Sequence, residues 1–127
     1  AQVFGIYMGL WLWHYSYRLR AVHASQIQGM KRMLENFNKA FESRVRLGIM
    51  SVLAVNNSMD FISLRETLEV TDGNLASHLR ALEEAGYIYI EKSFINRKPN
   101  TKYNITEEGL ESFRRHIKAL EDLISKK

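Results

Sequence analysis

The sequence predicts an α+β fold, mostly helical, in which two short helices joined by a tight turn precede a β-hairpin. Apolar residues recur at spacings of three and four in several segments that capping residues separate. Two stretches rich in β-branched and aromatic residues, "YIYIEKSF" and "TKYNI", flank a turn-forming "INRKPN". The 127 residues, 46% hydrophobic and 25% charged, suffice for one domain with a modest core.

The first 29 residues differ from the rest, because no charged residue precedes Arg18 and both tryptophans occur there. A membrane span is disfavoured, since the apolar run is short and interrupted by glycine, serine and histidine. A signal peptide is disfavoured because Arg18 and Arg20 follow the apolar run. We expect residues 1–29 to be an apolar leader, either an extension foreign to the domain or a helix that packs on it or on a partner chain. Residues 30–127 would form the domain, with Met30 as its native start.

The first helix of the domain is predicted in "NKAFESRVRLGIMSVLAVNN". Its apolar stripe consists of Phe41, Val45, Ile49, Val52 and Leu53. Asn38 is a suitable cap for the start and Asn56-Asn57 for the end. Next, "MDFISLRETLEV" predicts a few strand residues followed by a short helix that ends near Glu69. Ser63 and Glu66 have the spacing of a capping box for that helix.

A second helix follows after a short turn, over about residues 71–85. Thr71 is a good N-cap, Asn74 takes the third helical position, and Gly86 closes the far end. The spacing of Leu75, Leu79 and Leu82 places these residues on the core side. The remaining face is small and polar; its members are Gly73, Asn74, Ser77, Arg80 and Ala81, with His78 at the margin. Two helices so spaced predict a helix-turn-helix.

The hairpin that follows concentrates positive charge. Its tip carries Asn96, Arg97, Lys98 and Asn100, and Lys92 and Lys102 lie on the flanking strands. No acidic residue occurs between Glu91 and Glu107. The net charge of +4 on the whole chain is mild, but over residues 92–102 it is focused on one element, where it suits an anionic partner.

A last helix begins at Thr106 with the acidic Glu107 and Glu108. Its apolar stripe continues further than one small domain requires. We therefore expect a homodimer whose interface is formed by Phe37, Phe113, Ile117, Leu120, Leu123 and Ile124. The alternative is that this stripe packs against the leader.

The element order is helix, short strand, helix, helix, hairpin, helix, which is that of a winged helix-turn-helix with a two- or three-stranded antiparallel sheet. A DNA major groove accepts a helix with small polar side chains, and a basic hairpin reaches the phosphates or the minor groove. The residues that predict DNA binding are Thr71, Asn74, Ser77, His78, Arg80, Asn96, Arg97, Lys98, Asn100 and Lys102.

Three stretches, "SRVRLGIMSVL", "TDGNLASHLRALEEAGYI" and "FINRKPNTKYNITEEGLESF", resemble the small bacterial winged-helix transcription regulators related to the MarR-like group. The resemblance covers about residues 37–123. It implies a cytoplasmic, homodimeric regulator of transcription that reads a roughly palindromic operator. On this resemblance the recognition positions are Thr71, Asn74, Ser77, His78 and Arg80, and the wing positions are Arg97, Lys98 and Asn100. Larger members have further helices that form an effector pocket, for which this chain has little room.

Other functions find little support in the residues. The chain has no cysteine, and its four histidines are scattered and form no metal-binding or catalytic motif. We therefore expect no enzyme activity, no cofactor and no metal. Two alternatives stay open, namely a winged helix that binds proteins instead of DNA and a regulator tethered to a membrane by the leader. The basic hairpin favours DNA over the first of these.

Overall fold

The computed structural model describes the backbone of residues 2–125 and the side chains of residues 9–10, 12–14 and 24–125. The chain consists of two compact units, and the boundary between them lies between Glu35 and Asn36. The first is a single helix, α1, Gln2–Glu35. Because α1 continues past Met30, the compact domain begins six residues after the predicted boundary. The origin of residues 1–29 stays a prediction, and the side chains of Arg18 and Arg20 lie outside those described.

Within the part of the chain that the structure describes, no helix has both the length and the apolarity that a bilayer crossing requires.

The second unit opens with a 3-10 turn, Lys39–Phe41, followed by α2, Arg44–Asn56. The predicted cap of α2 was wrong. Asn38 caps the 3-10 turn, where its side-chain oxygen accepts a hydrogen bond from the Ala40 N–H at 2.9 Å, and Ser43 caps α2. The extra turn inserts the Phe41 ring into the core before α2 begins. The predicted end of α2 is confirmed.

A short strand, β1, Ser58–Asp60, leads into α3, Phe61–Leu68. The predicted capping box at Ser63 does not start this helix. Asp60 is its N-cap, and the Asp60 carboxylate accepts a hydrogen bond from the Ser63 N–H at 3.4 Å. Aspartate is a strong N-cap, and pairing of β1 holds it at the point where the helix begins. The predicted end near Glu69 is confirmed, with Glu69 in the left-handed region at φ 53°.

Helix α4, Asp72–Glu84, has the predicted cap, since the Asn74 N–H donates to Thr71 Oγ1 at 3.2 Å. After α4 the chain reverses at Gly86, whose φ of 80° favours glycine over residues with a Cβ. The helix packs against α2 through Leu75, Leu79 and Leu82, all buried as predicted.

The sheet has three antiparallel strands in the order β1-β3-β2, where β2 is Ile88–Ile95 and β3 is Lys98–Ile105. The cross-strand pairs Ile88–Ile105 and Ile90–Tyr103 lie on the face that covers the core. Since successive side chains alternate between faces, Lys98, Asn100 and Lys102 lie on the opposite, outer face. β1 pairs only with residues 102–104, so the hairpin extends well beyond the edge of the core.

The domain closes with α5, Glu107–Ser125. Thr106 caps it as predicted, since the Gly109 N–H donates to Thr106 Oγ1 at 2.9 Å. The winged-helix order of elements is thus confirmed. The buried core is drawn from every helix of the domain and from β2; its apolar members are Phe41, Ile49, Met50, Leu53, Leu64, Leu75, Leu79, Leu82, Ile88 and Phe113.

Candidate nucleic-acid interface

The outward face of α4 is polar and open to solvent. Gly73, Asn74, Ser77 and Arg80 are exposed, and His78 and Ala81 are half-buried at its margin. Because three leucines on the other face are buried, the helix is held in one rotational setting. Thr71 is exposed as well, but its side-chain oxygen already accepts the capping hydrogen bond. The small side chains leave room for a close approach to the helix.

A cross-turn ion pair joins α3 to α4. Arg65 Nη1 donates to Asp72 Oδ1 at 2.7 Å, and the carboxylate of Asp72 raises the pKa of Arg65. Asp72 is the first residue of α4, where a carboxylate suits the helix dipole but would repel a phosphate. Arg65 offsets that charge beside the outward face. The sequence pattern does not single out Arg65, because a spacing of seven residues between Arg65 and Asp72 becomes a contact only when the turn is known.

A two-residue turn forms the tip of the hairpin. Asn96 and Arg97 have φ values of 51° and 65°, as a type I′ turn requires at both central residues. The predicted longer turn around Pro99 was wrong, because Pro99 lies in β3 opposite Phe94. The strand tolerates this proline because hydrogen-bonded and non-hydrogen-bonded pairs alternate from the turn onward. The nitrogen of Pro99 therefore points away from β2, and β1 does not extend that far.

The cations of the hairpin are not equivalent. Arg97 is exposed at the tip, and Lys98 follows it on the outer face. Lys102 lies on the same face, but its neighbours in register are Asp60 on one side and Glu91 on the other. Opposite charges at directly facing positions attract one another, so Lys102 is less available to a phosphate than Arg97 or Lys98.

Exposed apolar side chains also lie on the hairpin, and the sequence pattern does not predict their exposure. Phe94 is 77% exposed, and Tyr89, Ile90 and Ile95 are exposed to lesser degrees. The residue types alone are those of any strand. Only the length of the hairpin relative to β1 leaves Phe94 without a core to cover.

The residues predicted for a dimer interface have different environments. Phe113 is only 7% exposed and belongs to the core of its own domain, so little of its side chain is available to a partner. Phe37 is half-buried, with its ring edge-on to His116 at 5.6 Å between centroids, and Ile117 packs against the core. Leu120 and Leu123 are half-buried, whereas Ile124 is 85% exposed. Among the residues predicted for the interface, only Ile124 at the outer end of α5 has a largely exposed side chain.

A partly buried pair of hydrogen bonds holds the chain in place before the 3-10 turn. Asn38 donates through its backbone N–H to His116 Nδ1 at 3.1 Å and through its side-chain amide to the Tyr87 hydroxyl at 2.8 Å. Burial lowers the pKa of His116. This histidine, one of those dismissed as scattered in the sequence, therefore stabilises the fold.

Comparisons with known proteins agree with this architecture. The family profile described as winged helix DNA-binding domain matches residues 45–124. An uncharacterised protein of Methanocaldococcus jannaschii is 39% identical over 79 residues, which cover 62% of this chain and 86% of that protein. A transcriptional regulator homologue of Pyrococcus horikoshii OT3 is 32% identical with a TM-score of 0.68, over 76% of this chain and 94% of that one.

A more distant structure shares the fold. The YusO protein from Bacillus subtilis superimposes with a TM-score of 0.61 at 16% identity, over 86% of this chain and 80% of that one. The resemblance to winged-helix regulators is confirmed, but its bacterial origin is not, because the two more similar proteins are archaeal. Proteins of this regulator family are not enzymes. The matched profile spans more than half of the sequence, and the chain belongs to the winged-helix DNA-binding domain family.

Proposed function

We propose that the protein is a sequence-specific transcription regulator that binds DNA as a homodimer. In this proposal α4 enters the major groove and the hairpin contacts the backbone or the minor groove. One observation carries it: the polar outward face of α4 is followed directly by a hairpin that packs on α4 and whose exposed tip is cationic. A major groove about 12 Å wide admits such a helix.

The roles within the site follow from chemistry. Asn74 and Ser77 are exposed hydrogen-bonding residues near the start of α4, and asparagine pairs well with adenine edges. Arg80 lies one turn further along. Arg97 and Lys98 carry charge without acidic neighbours in the hairpin, which suits phosphate contacts that position the protein without reading the sequence.

Dimer formation is supported by a groove of about 470 Å³ between α2 and α5 that is lined by both apolar and charged side chains. Val55 and Ile117 line it, and Val55 is 82% exposed. A two-fold mate would cover this groove together with Ile124. The two copies of α4 would then reach successive major grooves about 34 Å apart, so the operator should be a pseudo-palindrome.

A second candidate function is protein binding through the hairpin. The observation that favours it is the exposure of Phe94 and Tyr89, since aromatic side chains are common anchors of protein interfaces. It is weaker than the DNA proposal because Arg97 and Lys98 lie close to Phe94 near the tip of the hairpin, and no acidic residue occurs between Glu91 and Glu107.

The experiment is a selection of genomic DNA fragments by the purified protein at about 50 mM and about 200 mM salt, followed by affinity measurements on the selected duplex. Arg97→Ala should weaken binding to selected and random duplexes alike and reduce the salt slope by about 0.9 for each phosphate that the variant no longer neutralises. Asn74→Ala should instead cost about 1–3 kcal/mol of preference for the selected site.

Lys39→Ala is the matched control, because it removes an exposed cation from a different element. It should leave both the slope and the preference unchanged. A wild-type protein that selects no fragment contradicts the proposal. Unchanged slope in Arg97→Ala removes the hairpin from the mechanism, and unchanged preference in Asn74→Ala removes that residue from base reading.

A further inference from the structure

Phe94 is an exposed aromatic residue that does not pack against the core of the domain. It lies on the same face of β2 as Ile88, which is 2% exposed and belongs to the core. The core ends before it, because β1 pairs only with residues 102–104 of β3. Phe94 and the facing Pro99 therefore form an apolar pair on the free part of the hairpin.

The charge around this pair indicates its partner. Arg97 and Lys98 are one to four positions away, and residues 92–106 contain four cations and no acid. A polyanion with apolar surface between its charges fits this arrangement. The DNA minor groove has that chemistry, since phosphates rim its deoxyribose walls, and proteins that bind there often insert phenylalanine or proline.

The dimensions of the hairpin agree with this partner. Phe94 lies two residues behind the turn, which at about 3.3 Å per residue is nearly 7 Å from the tip. The minor groove is about 7.5 Å deep and about 6 Å wide. When the tip reaches the floor of the groove, Phe94 and Pro99 are level with its mouth. Two strands about 4.8 Å apart, with their side chains, fit only if the groove widens.

We propose that Phe94 and Pro99 contact the deoxyribose walls of the minor groove and hold the groove open while Arg97 enters it. This inference rests on the proposed function. The pair is then a specificity determinant that reads no base edge. DNA whose minor groove widens easily under the hairpin is bound more tightly than stiffer DNA with the same major-groove sequence.

The test compares the wild type with Phe94→Ala and Phe94→Leu on the selected duplex. Phe94→Ala should bind about tenfold more weakly at every salt concentration, because the side chain it removes is apolar and releases no counterions. Its salt slope should match the wild type, unlike that of Arg97→Ala. In the wild-type complex, the widened groove under the hairpin should enhance DNase I cleavage, and this enhancement should disappear with Phe94→Ala. Phe94→Leu should retain most of the wild-type affinity.

Tyr89→Ala is the matched control, since it removes an exposed aromatic residue of the same strand on the outer face. It should bind as the wild type does. Phe94 is exposed, so Phe94→Ala should keep the thermal midpoint of the wild type. If Phe94→Ala keeps the affinity and the cleavage pattern of the wild type, this inference is wrong while the proposed function stands. Loss of self-association in Phe94→Ala would also overturn the inference, because it would make Phe94 a protein contact. Absence of DNA binding by the wild type overturns the proposed function itself.

Discussion

His116 is the buried titratable residue whose protonation should affect the stability of the domain. Its Nδ1 accepts a hydrogen bond from the Asn38 N–H, so that nitrogen must be unprotonated in the fold. Burial lowers its pKa, while Glu42 acts in the opposite direction to a smaller extent. The Phe37 and Phe41 rings cover the imidazole and offer no counter-charge.

The consequence is a loss of stability in mild acid. A histidine with a lowered folded-state pKa contributes stability that is complete above its unfolded pKa of about 6.5 and declines as pH falls below it. We expect the urea midpoint to fall between about pH 7.5 and about pH 5.5, with a slope from this group of at most about 1.4 kcal/mol per pH unit.

The variant His116→Gln separates this contribution from others. Glutamine offers an oxygen acceptor to Asn38 without titrating, so the variant should lose most of the pH dependence over this range. Equal pH dependence in both proteins would show that a group other than His116 dominates over this range. The pKa of Asp60 is lowered by its bond to Ser63, so its contribution is lost only at more acidic pH.

At the scale of elements, the start of α5 depends on a close approach between two backbones. A Cβ on Gly109 would overlap the carbonyl oxygen of Tyr87, which itself accepts the Thr106 N–H at 3.0 Å. Thr106 Oγ1 also donates to the Gly86 carbonyl at 2.8 Å. The connection from β3 to α5 is thereby joined to the turn that follows α4.

Alanine at two glycines should therefore have opposite effects. Gly109→Ala should destabilise the domain by about 1–3 kcal/mol or more, because backbone atoms must move. Gly73→Ala is the matched control. Gly73 is also in the first turn of a helix, but no atom lies within 4 Å of the position that a Cβ would take there. This variant should stabilise the free protein by up to about 1 kcal/mol. Chemical denaturation measures both, and equal effects would refute the close approach.

For the whole molecule, the decisive property is assembly. The groove between α2 and α5, with the exposed Val55 in its lining, and the exposed Ile124 support a two-fold interface. The variant Ile124→Glu would place a charge in that interface and should weaken dimerisation at least tenfold. Sedimentation experiments should then show a shift toward monomer. Binding to a palindromic duplex should fall in parallel, because two half-sites then bind independently.

Ile62→Glu is the control for this experiment, because it introduces the same charge at an exposed apolar position of α3. It should remain a dimer. A wild-type protein that sediments as a monomer at the concentrations used for DNA binding would contradict the homodimer proposal.

The sequence by itself determined the order and type of the elements in the domain, because helix and strand periodicity are local properties. The spacing of Leu75, Leu79 and Leu82 indicated the buried face of α4. Thr71 and Gly86 marked its two ends and Thr106 the start of α5, because a cap or turn residue acts on backbone groups only a few residues away. Local capping competition was harder to predict. Asp60 caps α3 instead of Ser63 because pairing of β1 holds Asp60 where the helix begins. Ser43 caps α2 instead of Asn38 because burial of Phe41 places a separate 3-10 turn before the helix.

Tertiary structure alone decided which side chains are available for function. Phe113 belongs to an apolar stripe that looks continuous, yet the core of its own domain encloses it. Lys102 has the same charge as Lys98, but strand register places it between two carboxylates. Phe94 became exposed because β1 is shorter than the hairpin. Exposure and charge balance depend on neighbours distant in the chain, which periodicity and residue type do not encode.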